Sequence, residues 1–231
     1  MCDMPLHEGL QMYSECCGKT FCGGCNYQHQ LTSGERPACA FCREPISGSN
    51  EELLARARKR VERKDPKAAL NIALEHGYGG HGLPVNQAKC IDLLRECAGL
   101  GYPVAHYQLG NFHHNGEMGL EQNEEVGLKY WEKGAEGGHL MSRYNAGCKE
   151  YDNGDHVAAM RHLRLSASGG MRKSMDCLIE CCFESGLLHH GDLAESLQAM
   201  YRARAELRSE DRNTYIEHLK RTGEYEEAFG V

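Results

Sequence analysis

Two short stretches decide the fold of this chain, because the second repeats the first. Residues 82–86 read Gly-Leu-Pro-Val-Asn, and residues 119–123 read Gly-Leu-Glu-Gln-Asn, 37 positions later. The same offset relates small and bulky residues on both sides, which indicates an internal repeat rather than a chance match. The further pairs are Ala68 with Ala105, Ile72 with Leu109, His76 with His113, Gly79 with Gly116, Leu94 with Trp131, Ala98 with Ala135 and Gly101 with Gly138.

The repeat continues towards the C-terminus. A fourth, degenerate copy begins around Ser174 and Leu178, and a helix near residues 193–207 is expected to close the array. The third copy, five residues shorter than the first two, is marked by Ser142, Ala146, Gly147, Leu163, Ala167 and Gly170.

Each copy contains two helical segments separated by glycines, with small residues that let the helices approach closely and bulky residues that fill the gap between them. One such helix pair cannot bury its apolar face alone, whereas stacked pairs form a continuous core. The sequence therefore predicts a mainly α protein built on an α-solenoid of helix-turn-helix repeats. The small positions are Ala105, Gly110 and Ala135, and the bulky ones are Leu94, Trp131 and Leu163.

The second copy resembles the Sel-one-like repeat, a relative of the tetratricopeptide repeat. The resemblance extends over about residues 65–207 and implies a scaffold that binds a protein partner. The tyrosine of the family pattern is a histidine in the first two copies. The pattern A-x3-L-G-x2-Y-x2-G-x2-G is met by Ala105, Leu109, Gly110, His113, Gly116 and Gly119.

The second informative feature of the sequence is its cysteine content, with 13 cysteines in the chain. The first five residues carry neither the basic nor the apolar region of a secretory signal, so we expect a reducing compartment, the cytoplasm or the nucleus. Disulfides are rare there, and clustered cysteines more often bind metal. Seven lie within the first 42 residues, namely Cys2, Cys16, Cys17, Cys22, Cys25, Cys39 and Cys42.

Charge and hydropathy exclude two classes of partner. The net charge of −7 argues against a chain built to neutralise the phosphates of a nucleic acid. No stretch approaches the roughly 18 consecutive apolar residues of a membrane-spanning helix. We therefore expect neither a nucleic-acid partner nor a membrane partner.

Two Cys-x-x-Cys pairs define an N-terminal module over residues 1–48. Cys22 with Cys25, and Cys39 with Cys42, each have the spacing with which two thiolates bind one zinc ion. The segment has few large apolar side chains, and so small a core rarely folds without metal or disulfides. These residues predict a zinc-stabilised module to which the upstream cysteines supply further ligands.

The module resembles a RING-type zinc finger. Residues 16–25 read CCGKTFCGGC, and residues 39–45 read CAFCREP. In a RING, four ligand pairs hold two zinc ions, with the first and third pairs on one ion and the second and fourth on the other. The resemblance implies that Cys16 and Cys17 are the second pair, Cys22 and Cys25 the third, and Cys39 and Cys42 the fourth.

The first pair departs from the family pattern. Cys2 would be its second member, and the first member would fall three residues earlier, upstream of Met1. We therefore expect either an N-terminally truncated module or a first site with three thiolates. His7 is the candidate fourth ligand of that site. Lys19, a poor zinc ligand, stands where many RINGs have histidine, so the second pair is assigned to the adjacent Cys16 and Cys17, with His29 as the fallback ligand.

The RING resemblance implies a ubiquitin ligase or ligase subunit. Such a module contributes no nucleophile, but docks a ubiquitin-conjugating enzyme and orients its thioester, while the repeats bind the substrate or partner. Arg43 matches the basic position that clamps ubiquitin in active RINGs, whereas Ala40 replaces the usual proline of the docking surface. The alternative is a non-catalytic scaffold in which the zinc module is a cap or dimerisation element.

The remaining segments are a linking helix over residues 49–64 and a C-terminal tail over residues 208–231. Ser49 or Asn50 is expected to cap the linking helix. Its apolar face is predicted from Leu53, Ala57 and Val61, which recur at helical spacing. A further group, Cys177, Cys181 and Cys182, is expected to pack as small hydrophobic residues in the core rather than to bind a third metal.

Overall fold

The computed structural model describes residues 11–33, 38–46, 48–206 and 210–223. The chain divides into two compact units, one formed by Met1–Ala68 with Ala205–Val231 and the other by Ala69–Arg204. The linking helix therefore belongs to the same unit as the cysteine-rich region.

The elements follow one another with short connections. The two strands are β1 (Gln11–Tyr13) and β2 (Thr20–Cys22). The helices are α1 (Gly23–Thr32), α2 (Asn50–Glu62), α3 (Pro66–Tyr78), α4 (Gln87–Gly99), α5 (Pro103–Asn115), α6 (Glu124–Glu136), α7 (Leu140–Asp152), α8 (His156–Ser168), α9 (Arg172–Cys177), α10 (His190–Glu206) and α11 (Glu210–Thr222). A π-helix, Leu178–Phe183, continues α9, and a short 3₁₀ turn, Gly80–Gly82, follows α3.

In the first unit, β1 and β2 form an antiparallel pair in which Met12 lies opposite Phe21. The linking helix α2 begins after Ser49, whose hydroxyl accepts a hydrogen bond from the amide of Glu52, as the capping prediction required. Its buried face was predicted correctly at Ala57 only. Leu54 and Ala57 are the buried residues.

The predicted apolar residues of α2 other than Ala57 are Leu53 and Val61, and both are only half-buried. The i, i+4, i+8 spacing identifies one side of a helix, but neighbouring positions 100° apart can share a buried stripe. The packing of the helix, rather than its period, selects Leu54.

Asp65 connects the start of α3 to β1 and α2. Its Oδ1 accepts hydrogen bonds from the amides of Lys67 and Ala68 at 3.1 and 3.3 Å, which caps α3. Its Oδ2 accepts from the Tyr13 hydroxyl at 2.7 Å and lies 3.3 Å from Nε of Arg60. Burial, together with the hydrogen bond to Asp65, raises the pKa of Tyr13.

The segment predicted as a C-terminal tail contains a helix, α11, that packs against α1. The Tyr215 ring covers Gly23, where a Cβ would collide with it. Tyr27 of α1 contacts the rings of Tyr215 and His218, with centroid distances of 5.9 and 4.7 Å. This helix was not anticipated, because α11 is largely charged and its few packing residues are too sparse to mark an apolar face.

The second unit is a run of helix pairs in which the repeated sequence produces repeated contacts. In chain order the pairs are α3 with α4, α5 with α6, α7 with α8, and α9 with α10, and the extensive contacts are those of α5 with α6 and of α7 with α8. Their second helices α4, α6 and α8 are capped by Asn86, Asn123 and Asp155, each of which accepts a hydrogen bond from an amide three residues later. The fold class predicted from the sequence, mainly α with a repeat solenoid, is confirmed.

Small residues on the first helix of a pair let the second helix approach closely. A Cβ on Gly110 of α5 would collide with the Trp131 ring of α6, and one on Gly147 of α7 would lie 2.9 Å from Cγ of Leu163 in α8. Trp131 is 5% exposed, and its Nε1 donates to Oδ1 of Asn111 at 2.9 Å. The small-against-bulky pairing expected from the sequence is therefore present.

In the part of the chain that the structure describes, no helix combines the length and the apolar character needed to cross a membrane.

Removing the Trp131 side chain should destabilise the array. Trp131→Ala leaves a cavity against Gly110 and removes the hydrogen bond from the indole to Oδ1 of Asn111, so we expect the free energy of unfolding to fall by about 3–5 kcal/mol. Urea denaturation followed by far-ultraviolet circular dichroism measures the change. Tyr201→Ala, at a side chain 66% exposed, is the control and should cost under about 0.5 kcal/mol. An equally small effect at Trp131 would contradict the packing.

Candidate metal centre

Four thiols from two loops converge in the first unit. Cys16, Cys17, Cys39 and Cys42 each offer an Sγ atom, and these four atoms all lie within 4.8 Å of one another. The Sγ atoms of Cys17 and Cys39 are 3.8 Å apart, and those of Cys16 and Cys42 are 3.3 Å apart. The structure thus brings the four residues together as a set that can hold a metal ion.

The first loop lies between β1 and β2. The amide of Ser14 donates to the carbonyl of Lys19 at 3.0 Å, and the amide of Gly18 donates to the carbonyl of Ser14 at 2.7 Å. Gly18 has a φ of 70°, in the left-handed region that favours glycine. This tight turn lets the adjacent Cys16 and Cys17 both reach the cluster, which they could not do from a straight strand.

The second loop repeats that hydrogen-bonding pattern 25 residues later. The amide of Cys39 donates to the carbonyl of Glu44 at 2.8 Å, and the amide of Arg43 donates to the carbonyl of Cys39 at 3.0 Å. Arg43 has a φ of 62°, as Gly18 does at the equivalent position. Cys42 therefore corresponds to Cys17 of the first loop.

Ser14 is a member of the site that sequence reasoning missed. In the loop correspondence it takes the place of Cys39, and its hydroxyl lies 3.4 Å from the Sγ of Cys39. Comparing SECC at residues 14–17 with CAFC at residues 39–42 would have revealed it. With serine at that position, the fourth thiol comes from Cys16.

The geometry fits a tetrahedral zinc ion. Four sulfurs at about 2.3 Å from zinc are separated from one another by about 3.8 Å. The Cys17–Cys39 separation already has that value, and the other separations lie within 1 Å of it. A hydroxyl beside one ligand, as Ser14 provides, is a typical outer partner of a metal site.

The protonation of the thiols depends on their neighbours. Burial raises the pKa of Cys39, but hydrogen bonds from the Ser14 hydroxyl and from the amides of Cys42 and Phe41 outweigh it, and the pKa falls to about 6. Burial, followed by hydrogen bonding to Cys42, raises the pKa of Cys16. Several thiolates cannot share so small a volume unless a cation offsets their charge.

An arginine of α2 packs against the first loop. The guanidinium of Arg60 lies over the Cα of Gly18, where a Cβ would collide with it, and the same side chain pairs with Asp65. Gly18 is therefore required twice, for its backbone conformation and for the approach of Arg60.

The other predicted ligands lie apart from this cluster or outside the described residues. Cys22 is buried and caps α1, with its Sγ accepting from the amide of Cys25 at 3.2 Å. Cys2 and His7 fall outside the described residues. The ligand set of the first predicted site therefore stays a prediction.

His29, the fallback ligand, follows Cys25 by one helical turn on α1. Its Nε2 donates to the carbonyl of Ala38 at 3.0 Å, since a carbonyl can only accept. Only Nδ1 of this ring would be available to a metal.

The fold and the site together define a helical-repeat protein with a cysteine cluster. The family model of the Sel1 repeat matches residues 66–102 and 103–139, so the first two predicted copies are Sel1 repeats. The comparison detects no RING domain. The sequence matches none of the curated proteins with which it was compared.

Two solved structures are similar in fold. A Sel1 repeat protein from Oxalobacter formigenes is 22% identical with a TM-score of 0.59, and the match covers 79% of this chain and 70% of that one. A protective antigen of uropathogenic Escherichia coli with an SLR fold is 22% identical with a TM-score of 0.56, covering 64% of this chain and 33% of that one. This chain thus spans a third of the antigen's length. Likeness at this identity establishes the solenoid fold alone.

Zinc binding at the cluster should depend on its four thiols and not on a buried thiol of the repeat array. Cys42→Ser removes a ligand, so we expect it to lose about one zinc ion per chain by elemental analysis. Cys90→Ser, at a fully buried thiol in α4, is the control and should leave the zinc content unchanged. Equal zinc content in both variants would contradict the assignment.

The two predicted zinc sites should bind their ions with different affinities. The cluster offers four thiolates, whereas Cys2, Cys22 and Cys25 offer three, so a chelator should remove zinc in two steps. Cys22→Ser should abolish the easily removed ion and Cys42→Ser the tightly held one, as measured by chelator absorbance. Loss of both ions at the same chelator concentration would show that the first site is not deficient.

Gly18→Ala should weaken the centre through its loop. The left-handed backbone and the Arg60 guanidinium both resist a Cβ, so we expect a cost of about 1 kcal/mol or more and faster zinc transfer to a chelator. Gly48→Ala is the matched control, because nothing lies within 4 Å of a Cβ there. Similar transfer rates in the two variants would rule out the role given to Gly18.

Proposed function

We propose that this chain is a zinc-binding RING-type protein that acts as a ubiquitin ligase or ligase subunit, with its repeats binding a substrate or another protein partner. The observation that carries the proposal is the meeting of Cys16 and Cys17 with Cys39 and Cys42 across the intervening Cys22-x-x-Cys25. A cross-brace requires this alternation, because its second and fourth ligand pairs share one ion and its third pair serves another.

Zinc would have a structural part in this function. A shell of four thiolates is closed, so the bound ion contributes folding energy and leaves no open position for a substrate. Catalysis would then consist of positioning, since docking a conjugating enzyme and its thioester replaces an encounter in solution by a fixed geometry.

Arg43 is the residue of this chain suited to contact ubiquitin. It is exposed and directly follows the last thiol of the cluster. Its amide is fixed by the hydrogen bond to the carbonyl of Cys39, so the metal centre and the arginine belong to one rigid loop. A guanidinium held in this way can donate to carbonyl groups of ubiquitin and of the conjugating enzyme together.

The repeats would supply the second binding surface. Stacked helix pairs present an extended concave face, and solenoids of this kind bind peptides or folded domains. The Sel1 repeats over residues 66–139 support this part of the proposal.

The second candidate is a scaffold in which the zinc module has no ligase activity. Ala40 favours it, because the docking surface of RING modules usually has a proline there. The absence of a detected RING domain favours it as well. In that case the module would act as a cap or a dimerisation element beside the repeats.

Self-ubiquitination tests the first candidate against the second. The zinc-loaded full chain is incubated with ubiquitin, its activating enzyme and a panel of conjugating enzymes, and products are read on a denaturing gel. We expect ubiquitin chains from at least one enzyme, and we expect Arg43→Ala to reduce them about tenfold or more. Arg58→Ala, at an exposed arginine of α2, should leave the rate unchanged.

Zinc content distinguishes the reasons for a negative result. Arg43→Ala should keep the full zinc content, since arginine is not a ligand. A zinc-loaded chain that gives no product with any conjugating enzyme would exclude the ligase and leave the scaffold.

A further inference from the structure

A second group of thiols lies in the repeat array, away from the candidate metal centre. Cys148 of α7 and Cys177 of α9 pack against the same core cluster, and the Sγ of Cys177 lies 3.7 Å from that of Cys181. All three are half-buried, whereas the neighbouring Cys182 is fully buried. The expectation that Cys177, Cys181 and Cys182 pack in the core agrees with the structure, in which Cys182 belongs to the core cluster and the other two pack against it, but it did not include Cys148.

The repeat explains why Cys148 and Cys177 meet. Cys148 is the ninth residue of α7, as Asn111 is of α5. Cys177 is the sixth residue of α9, as Asn145 is of α7. Asn145 donates to Oδ1 of Asn111 at 3.2 Å, so the same inter-repeat contact is an amide pair in one interface and a thiol pair in the next.

The surroundings of Cys148 favour its thiolate. The hydrogen bond from Cys177 lowers the pKa of Cys148 and outweighs burial, the Tyr144 hydroxyl lowers it further, and the charge of Asp152 opposes them. Cys90, by contrast, has its pKa raised to about 11 by burial. Thiolate character and access are what make a cysteine reactive towards oxidants.

We propose that Cys148 and Cys177 form a peroxide-reactive pair, in which Cys148 is the nucleophile and Cys177 resolves it to a disulfide joining the third and fourth repeats. The π-helix that begins directly after Cys177 supports this, because such insertions are rare and recur at functional sites.

The chemistry requires only hydrogen peroxide as the oxidant. The Cys148 thiolate attacks one peroxide oxygen, the O–O bond breaks, and the leaving hydroxide takes a proton to give water and a sulfenic acid at Cys148. The Cys177 sulfur then attacks the Cys148 sulfur. The S–O bond breaks, and the hydroxyl leaves as water with the Cys177 proton, so two thiols are oxidised and one peroxide is reduced to two waters.

Peptide mapping after peroxide treatment tests the pair in the full chain. Trypsin releases Cys148 in residues 144–149 and Cys90 in residues 90–95, each as the one thiol of its peptide, and Cys177 in residues 174–202 together with Cys181 and Cys182. With limiting hydrogen peroxide, we expect the peptides of Cys148 and Cys177 to be joined and Cys148 to be oxidised about tenfold faster than Cys90. Fragmentation locates the bond at Cys177, and a reducing thiol should reverse it.

Two variants keep the proposal falsifiable. Cys177→Ser removes the resolving thiol and should trap Cys148 as a sulfenic acid that a dimedone reagent labels, while Tyr144→Phe should slow the reaction. Cys97→Ser, at a fully buried thiol of α4, is the control and should change neither. Oxidation of Cys148 no faster than that of Cys90 would overturn the proposal, and a bond from Cys148 to Cys181 would overturn the assignment of Cys177.

Discussion

The helical array depends on one contact, seen in the second and third repeats, in which a small residue on the first helix faces a bulky residue on the second. Gly110 lies under the ring of Trp131, and Gly147 lies under Leu163 one repeat later. Close approach of two helix backbones brings many weak dispersion contacts into range at once, and these add up to a dense core. The stacking of successive repeats follows, because each pair is left with apolar faces that only its neighbours can cover.

The first unit is organised by a different constraint, the crowding of charge. Four thiols within 4.8 Å of one another form a stable ligand shell only with a cation between them. The loops that hold them adopt the same hydrogen-bonded turn, although one has serine where the other has cysteine. Metal binding and folding of this unit are therefore expected to be coupled. Arg43 belongs to the second of these loops, where its amide is hydrogen-bonded to the carbonyl of Cys39.

Sequence reasoning succeeded where a feature repeats or has a fixed spacing. The 37-residue offset located the helix pairs and the burial of Trp131, and the Cys-x-x-Cys pairs located the cysteine-rich module. It did not anticipate α11, because a helix that packs a tyrosine onto a glycine of α1 leaves little apolar signal. It also missed Ser14, since a hydroxyl beside a thiol is visible only once the two loops are compared.

The sequence by itself determined the period of the array and the residue types at its contacts, because a helix with 3.6 residues per turn converts spacing along the chain into a face. Only the tertiary structure decided which residues meet across elements. Cys148 and Cys177 are 29 positions apart, and their contact depends on how α9 lies against α7 after a shortened third repeat. Cys16 and Cys42 meet because two turns face each other. Distances between elements are set by packing and loop closure, which spacing along a single chain does not encode.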